Sequence, residues 1–294
     1  YLWERTIFAF STRGCSRMNT KKTTKAGGKY LLLALILLWS GAPILMVILS
    51  SFKDARFIFE FPPKIFFKPT FENYSYLAET WPEFFSSLWN STLVTIGSAL
   101  LTVVVSFFAG YAYSRFHSRR LTMSAFFLLV IRMFPPIIIT IPLYPIIRAL
   151  NLFDKHITLV LFYSAFYVSL GTWLMKSFMD QIPKELEEAA YMDGATMPQI
   201  LGKIIFPLAL HGIMATATFV IIYAWKEYLF AMLFTTTKAK TAPLIIGEML
   251  GSVTGVQWGS LFAAATIQLI PILVYIYFAQ NVLIEGATVG SVKG

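Results

Sequence analysis

The chain contains 294 residues, of which 57% are hydrophobic and 13% are charged, and its formal net charge is +9. Soluble domains usually carry about 25% charged residues, so this composition and the mean hydropathy of +0.66 exclude a soluble enzyme and indicate a protein dissolved mainly in lipid. The basic balance is typical of the lysine and arginine excess on the cytoplasmic side of membrane proteins, and no polar region with a basic patch suggests nucleic-acid binding.

Cysteine and histidine usage bounds the chemistry further. Cys15 is the only cysteine, so no intramolecular disulfide can form and a cysteine-based metal site is not expected. His117, His156 and His211 are far apart and show no metal-ligand spacing. We therefore predict no metal and no cofactor within this chain.

Six apolar segments are long enough to cross a bilayer, which requires about 20 residues. The first, residues 30–50, follows a basic tail at residues 1–29 and is longer than the apolar core of a signal peptide, without an Ala-x-Ala cleavage site. The other predicted spans are residues 88–113, 122–147, 158–175, 204–230 and 260–282. The sequence thus predicts an all-α integral membrane protein with a short tail at residues 283–294.

The segment between the first two spans, residues 51–87, is rich in aromatic residues and proline. Its aromatic side chains fit either contact with a partner protein or an aromatic belt at the level of the lipid headgroups. Both interpretations stay open at this stage.

An even number of spans places both termini on the same side. The amino-terminal tail and residues 115–120 are strongly basic, which assigns both to the cytoplasm. Residues 176–203 then fall in the cytoplasm, while residues 51–87, 151–155 and 235–258 fall outside.

The cytoplasmic segment 182–212 has a readable local pattern. Pro183 suits the first position of a helix, and Glu185, Glu187 and Glu188 favour the positive end of the helix dipole. Gly194 provides a stop because glycine tolerates the left-handed conformation that ends helices. We therefore predict a helix over residues 184–193, about 15 Å long.

A second helix is expected to start directly after this stop. Thr196 and Gln199 have the spacing of a capping box, and Pro207 is expected to bend the helix as it joins the fifth span. The result is a helix-turn-helix elbow with small residues at its corner, a shape that a groove on a partner protein can hold.

This elbow resembles the "EAA" loop of bacterial ABC importer permeases. The matching residues are Glu188-Ala189-Ala190, Gly194, Ile204 and Phe206-Pro207, where the family usually has Leu-Pro; His211 replaces a proline that often follows. The phrases "NSTLVT", "MFPPIIITIPLY", "IPKELEEAAYMDGAT", "WKEYLFA" and "QWGSLFAAA" also occur in family order. They resemble most closely the second permease subunit of maltose-type sugar importers (the MalG-like class). That class usually has asparagine at the position that Lys226 occupies in this chain.

The resemblance implies a type I ABC importer transmembrane fold in a bacterial or archaeal cell (inner) membrane, with the elbow as the cytoplasmic coupling helix. The implied partners are a second permease subunit in a heterodimer, two ATPase subunits that bind ATP and Mg, an extracytoplasmic solute-binding protein, lipid and a sugar. The implied coupling residues are Glu188, Ala189, Ala190, Asp193, Gly194, Ile204 and Pro207. Met18 opens a sequence similar to a permease amino terminus, so we expect residues 1–17 to lie upstream of the natural start or to be foreign to the protein.

A second group of residues suggests a route through the membrane. Arg132 and Pro135 lie in the third predicted span, where an ionisable side chain and a broken helix are typical of a transport pathway. An arginine that pairs with a carboxylate or extends to the membrane surface explains Arg132 equally well. Trp225, Lys226 and Glu227, near the outer end of the fifth span, are candidates for contact with solute or solute-binding protein, or for simple interfacial pairing.

Two other classes of protein compete with this interpretation. A stand-alone secondary transporter or channel needs its own coupling-ion site and usually internal repeats, and an integral-membrane enzyme needs a cluster of catalytic side chains; neither is visible. The chain also lacks a phosphate-binding loop, because its nearest approach, Gly171 to Ser177, has Met175 where glycine is required. We therefore expect ATP hydrolysis to reside on separate chains.

Overall fold

The computed structural model describes residues 29–30, 32–62, 64, 66–253 and 255–289, with the side chains of residues 281–289 excepted. The predictions for residues 1–28, including the start at Met18, and for residues 290–294 lie outside the described residues. The described chain is helical, with a short 3-10 turn at Ala55–Phe57. The helices are α1 (Leu32–Ser51), α2 (Glu72–Thr80), α3 (Glu83–Arg115), α4 (Arg119–Met133), α5 (Pro136–Ala149), α6 (His156–Met179), α7 (Glu185–Met192), α8 (Met197–Leu208), α9 (Leu210–Trp225), α10 (Leu229–Phe234), α11 (Ala242–Leu250) and α12 (Trp258–Val289).

Helix lengths and composition in the described residues account for the six predicted spans. Four helices, α1, α3, α6 and α12, are each long and apolar enough to cross a bilayer. Two bent pairs, α4 with α5 and α8 with α9, supply the remaining two crossings when each pair counts as one span. The all-α membrane architecture predicted from the sequence is therefore confirmed.

The centre of the bundle is the contact between α3 and α6. Gly110 faces Met175 so closely that an added Cβ would lie 2.8 Å from the Met175 Cβ, and one at Gly171 would lie 2.5 Å from the Ser106 hydroxyl oxygen. Small residues let membrane helices approach closely and gain van der Waals contact. α9 packs against both helices, so the elbow that precedes α9 is tied to the most tightly packed part of the molecule.

The third and fifth predicted spans are each interrupted by a bend. The third is broken between α4 and α5, with a bend of 94°, because Pro135 and Pro136 disfavour helical backbone before them and remove hydrogen-bond donors. The fifth is bent by 72° at Ala209, between α8 and α9, and ends at Trp225 before the separate helix α10.

Three boundaries also differ from the sequence-based expectation. α3 begins at Glu83, so the segment between the first two spans is shorter than predicted and itself contains α2. The region 235–258, expected to be a loop, contains α11, whose Pro243 occupies one of the first positions of the helix. The last helix continues to Val289 and takes in most of the predicted tail.

Candidate functional site

The first arm of the elbow ends as the sequence predicts. α7 has Lys184 as its N-cap, so Pro183 precedes the cap and does not take the first helical position. At the other end Gly194 has φ +81°, its N–H donates to the Tyr191 carbonyl (3.0 Å), and the Ala195 N–H donates to the Ala190 carbonyl (2.9 Å). These two bonds form a Schellman motif, which needs a left-handed residue at this position.

The second arm starts with the predicted capping box between Thr196 and Gln199. The Gln199 Oε1 atom accepts the backbone N–H of Thr196 at 2.8 Å and its hydroxyl at 3.0 Å. Leu201–Ile205 then form a π-helical turn, a local widening that often occurs at functional sites. Pro207 follows, and the 72° bend at Ala209 joins this arm to α9.

A buried ion pair fixes the elbow to the bundle. Arg115 Nε lies 2.5 Å from Glu187 Oε1, and the two side chains are only 7% and 9% exposed. The Tyr111 hydroxyl donates to Glu187 Oε2 at 2.6 Å, so both carboxylate oxygens are bonded. The other guanidinium nitrogens of Arg115 donate to the carbonyls of Met179 (3.0 Å) and Ile182 (2.9 Å). Arg115 thereby joins α3, the end of α6 and α7 in one network.

The opposite face of the elbow is exposed. Glu188, Ala189, Asp193 and Gly194 are all solvent-accessible, and Glu188 forms no side-chain hydrogen bond or ion pair with any described residue. Met192 at the tip is 88% exposed. Ala190 and Ile205 are buried beneath, with the partly buried Ile204 packed against them. The elbow thus has one face committed to the bundle and one face without a partner in the described chain.

The predicted pathway residues separate into two places. Arg132 and Pro135 lie on either side of the break between α4 and α5, and both are exposed. Trp225 is buried, and its indole N–H donates to the Gln268 carbonyl at 3.1 Å, so it ties α9 to α12. Lys226 Nζ lies 4.7 Å from the centre of the Tyr223 ring, a cation–π contact and not the interfacial pairing with a carboxylate.

Glu227 occupies the break between α9 and α10. Its Oε1 accepts the Phe230 N–H at 2.9 Å, while Oε2 is buried beside the hydroxyl of Tyr163. Tyr167 lies within electrostatic range of both Glu227 and Arg132. The break therefore collects polar groups between helices, the arrangement that transporters use near a solute.

The carboxylate of Asp154 holds the loop of residues 236–239, which precedes α11. Asp154 accepts hydrogen bonds from the backbone N–H groups of Thr236, Thr237, Lys238 and Ala239, at 3.0–3.3 Å, and from the Thr237 hydroxyl at 2.7 Å. Burial alone would raise the pKa of Asp154, but these hydrogen bonds together lower it below its ordinary value. Asn90 also stabilises this loop by donating hydrogen bonds to the carbonyls of Lys238 and Lys240, each at 2.9 Å.

Comparison with known proteins identifies the family. Residues 102–287 match the family described as the binding-protein-dependent transport system inner membrane component. The chain is 36% identical over 253 residues to the probable ABC transporter permease protein y4oR of Sinorhizobium fredii, covering 85% of this chain and 90% of that protein. This chain belongs to the ABC importer permease family.

Two further relatives and a solved structure agree with this membership. The trehalose/maltose transport system permease protein MalG of Thermococcus litoralis is 34% identical over 85% of this chain and 90% of its own length. The trehalose transport system permease protein SugB of Mycobacterium tuberculosis is 38% identical over 83% and 87%. A bacterial ABC transporter that imports the acidic polysaccharide alginate has a chain with a TM-score of 0.70 at 20% identity, covering 96% of this permease and 98% of that chain, which shows a shared fold.

Membership in the permease family decides several sequence-based expectations. The chain is a multi-pass inner membrane protein with the type I importer fold and is a permease subunit, not an enzyme, because ATP is bound and hydrolysed by partner subunits. The secondary-transporter and membrane-enzyme alternatives are therefore excluded.

Several functional candidates escaped the sequence analysis of this permease. Arg115 was interpreted only as an orienting charge and Glu187 only as a helix-dipole carboxylate, although together they anchor the elbow. Met192 could have been selected from the sequence, because an apolar residue on a short helix outside the spans has no lipid to face. Tyr163 and Tyr167 could also have been selected, since their i, i+4 spacing places both on one face of α6.

Proposed function

We propose that this chain is one permease subunit of a sugar importer, in which it forms a heterodimer with a second permease and assembles with two ATPase subunits and an external solute-binding protein. Three relatives are named for sugar transport: trehalose/maltose, trehalose and diacetylchitobiose. Both termini are assigned to the cytoplasm by the basic residues of the tail and of the loop between α3 and α4. Residues 52–82 and 235–257 then face the exterior.

The coupling role rests on one observation, the two-faced elbow. Its exposed tip, formed by Glu188, Asp193 and Met192, is offered to an ATPase subunit, while Glu187 on the other face holds α7 to Arg115. A buried, fully bonded ion pair transmits force because breaking it leaves an uncompensated charge. When ATP draws the two ATPase subunits together, the elbow moves with the bases of α3 and α6 and changes which side of the pore is open.

The solute route is assigned to the breaks in the helices. Glu227 and the tyrosines around it present hydroxyl and carboxylate groups, which can exchange hydrogen bonds with a polyhydroxylated solute, and Arg132 lies within electrostatic range of Tyr167. Trp225 and Pro135 contribute by shaping the ends of α9 and α5. Lys226, which directly follows α9, stabilises the end of this helix through its cation–π contact with Tyr223.

The proposal is tested by purifying the tagged chain from its native membrane in mild detergent and identifying its partners by mass spectrometry. We expect an ATPase and a second permease, with ATP hydrolysis stimulated by a solute-binding protein loaded with a sugar. Stimulation only by solutes of another class, such as amino acids, would overturn the sugar assignment. Recovery of two identical permease chains would overturn the heterodimer.

A further inference from the structure

An open cavity of about 500 Å³ lies where α1 ends, between residues 53–60 on one side and residues 64 and 66–72 on the other. Its walls include the aromatic rings of Phe57, Phe66 and Phe67, and its charged groups are Lys53, Asp54, Glu60, Lys64, Lys68 and Glu72. None of these residues belongs to the elbow or to the candidate solute route.

The backbone at the floor of this cavity is fixed by α2. The buried Asn73 side chain donates to the carbonyls of Ser51 (2.8 Å) and Lys53 (2.6 Å). The Thr70 N–H donates to the Phe52 carbonyl at 2.8 Å, which closes the segment into a loop. Lys53 is held within this frame and is only 7% exposed, so the position of its side chain is set by the fold.

None of the acidic groups around the cavity forms an ion pair with Lys53. Asp54 pairs with Arg56 at 2.8 Å and Glu60 Oε1 pairs with Lys64 at 2.6 Å, while Glu60 Oε2 is buried without a hydrogen-bond partner among the described residues. Lys68 and Glu72 lie exposed at the rim. The Lys53 ammonium lies 5.2 Å from the centre of the Phe67 ring and has no hydrogen bond or ion pair with any described residue. Burying an ammonium group costs free energy unless an anion or a strong hydrogen-bond acceptor pairs with it. An anionic ligand bound in the cavity would supply that partner for Lys53.

The depth of the cavity indicates which anion this is. Lys53 follows the last residue of the membrane-spanning helix α1 by two positions, which places its ammonium near the level of the lipid headgroups. Phe57 and Phe66 are exposed next to it and offer apolar surface to the glycerol and the upper acyl chains. We propose that this cavity binds the phosphate of a membrane phospholipid in the external leaflet, with the Lys53 ammonium as its charged donor.

The lipid site is tested on the wild-type transporter, assembled with its partner subunits and stripped of lipid in detergent. Lysine acylation, mapped by mass spectrometry, is followed while the short-chain lipid dihexanoyl phosphatidylglycerol is added. We expect the acylation of Lys53 to slow about tenfold, while that of Lys155, an exposed lysine on the same side, is unchanged. Dihexanoylglycerol, which lacks the phosphate, should give no protection.

Variants provide an independent readout of the same site. Native mass spectrometry of the complex is expected to show a retained phospholipid that is lost in Lys53→Met and kept in Lys155→Met. Absence of protection in the wild type, or equal protection by dihexanoylglycerol, would overturn the phosphate site. Equal protection by inorganic phosphate at the same concentration would overturn the lipid as its occupant. The wild-type experiment decides the matter even if Lys53→Met fails to assemble.

Discussion

Arg115 and Glu187 are 72 residues apart in the sequence, yet they meet as a buried ion pair at the base of the bundle, with Nε and Oε1 separated by 2.5 Å. Arg115 ends α3 and Glu187 lies in the first turn of α7. Because the same guanidinium also binds carbonyls at the end of α6, the elbow cannot tilt without disturbing the two central helices.

Replacement of Arg115 by Met should destabilise the permease and uncouple the elbow. Glu187 would remain buried without its partner, which costs about 3–5 kcal/mol, and the thermal unfolding temperature of the purified transporter should fall. Lys176→Met is the matched control, because it removes the exposed Lys176–Asp180 pair, which is worth less than about 1 kcal/mol. Equal unfolding temperatures for the two variants would contradict the anchoring role of Arg115.

Gly194→Ala should impair the coupling of ATP hydrolysis to transport, and it should do so only by straining the backbone. A left-handed conformation costs a residue with a Cβ about 1–2 kcal/mol, so the turn at φ +81° would shift while membrane insertion stays normal. We expect ATP hydrolysis to continue with reduced transport, and Gly194→Val to have a larger effect. Gly202→Ala is the control, since an added Cβ meets nothing within 4 Å at either glycine and only Gly194 has a positive φ. Normal transport by Gly194→Val would remove this turn from the mechanism.

Glu188→Lys should weaken the association with the ATPase. The carboxylate is exposed and its side chain forms no hydrogen bond or ion pair with a described residue, so reversing its charge leaves the permease fold intact but places repulsion at the proposed interface. We expect about tenfold less ATPase to co-purify with this variant. Glu79→Lys makes the same charge change on the exposed surface of α2 and should have no effect. Unchanged co-purification for Glu188→Lys would count against an interfacial role.

The loop held by Asp154 should loosen in acid. The pKa of Asp154 in the folded protein is lowered below the ordinary value of 3.8, so its stabilising contribution is complete above that value and is lost as the pH falls through the folded pKa. Hydrogen exchange at the amides of residues 236–239 should therefore be strongly protected near pH 7 and lose protection only in strong acid.

Asp154→Asn should remove this protection at neutral pH, on the order of tenfold, because a charged acceptor of several N–H groups is lost. Asp193→Asn, which alters an exposed carboxylate at the end of α7, serves as the control. Exchange rates that stay the same in Asp154→Asn would show that Asn90 and the rest of the loop suffice.

Features encoded over a few neighbouring residues could be predicted from the sequence. The α7 stop at Gly194, the bond between Thr196 and Gln199 and the six spans depend on glycine, capping and apolar length, each of which is a local property. The position of the break at Pro135 could be predicted, because proline interrupts a helix. The angle between the two resulting helices could not, because proline does not fix it.

Features that depend on tertiary contact could not be predicted. No local property distinguishes Glu187 from Glu188, yet the first is buried by Arg115 and the second is exposed. Trp225 is predicted to lie near the outer end of the fifth span, but its bond to the Gln268 carbonyl depends on how α12 packs. The cavity around Lys53 likewise requires Asn73 to close a loop from the next helix.

The proposed docking of the exposed elbow tip on an ATPase can be tested with a photo-reactive amino acid placed at Met192. Met192 is 88% exposed and Val253, which follows α11 and lies on the opposite side of the membrane in the proposed topology, is fully exposed, so a probe at either position can reach a partner. In native membranes, irradiation should link the Met192 probe to an ATPase subunit and should link the Val253 probe to no ATPase. An ATPase captured from Val253, or none captured from Met192 in membranes that hydrolyse ATP through this transporter, would contradict docking of the elbow on the ATPase.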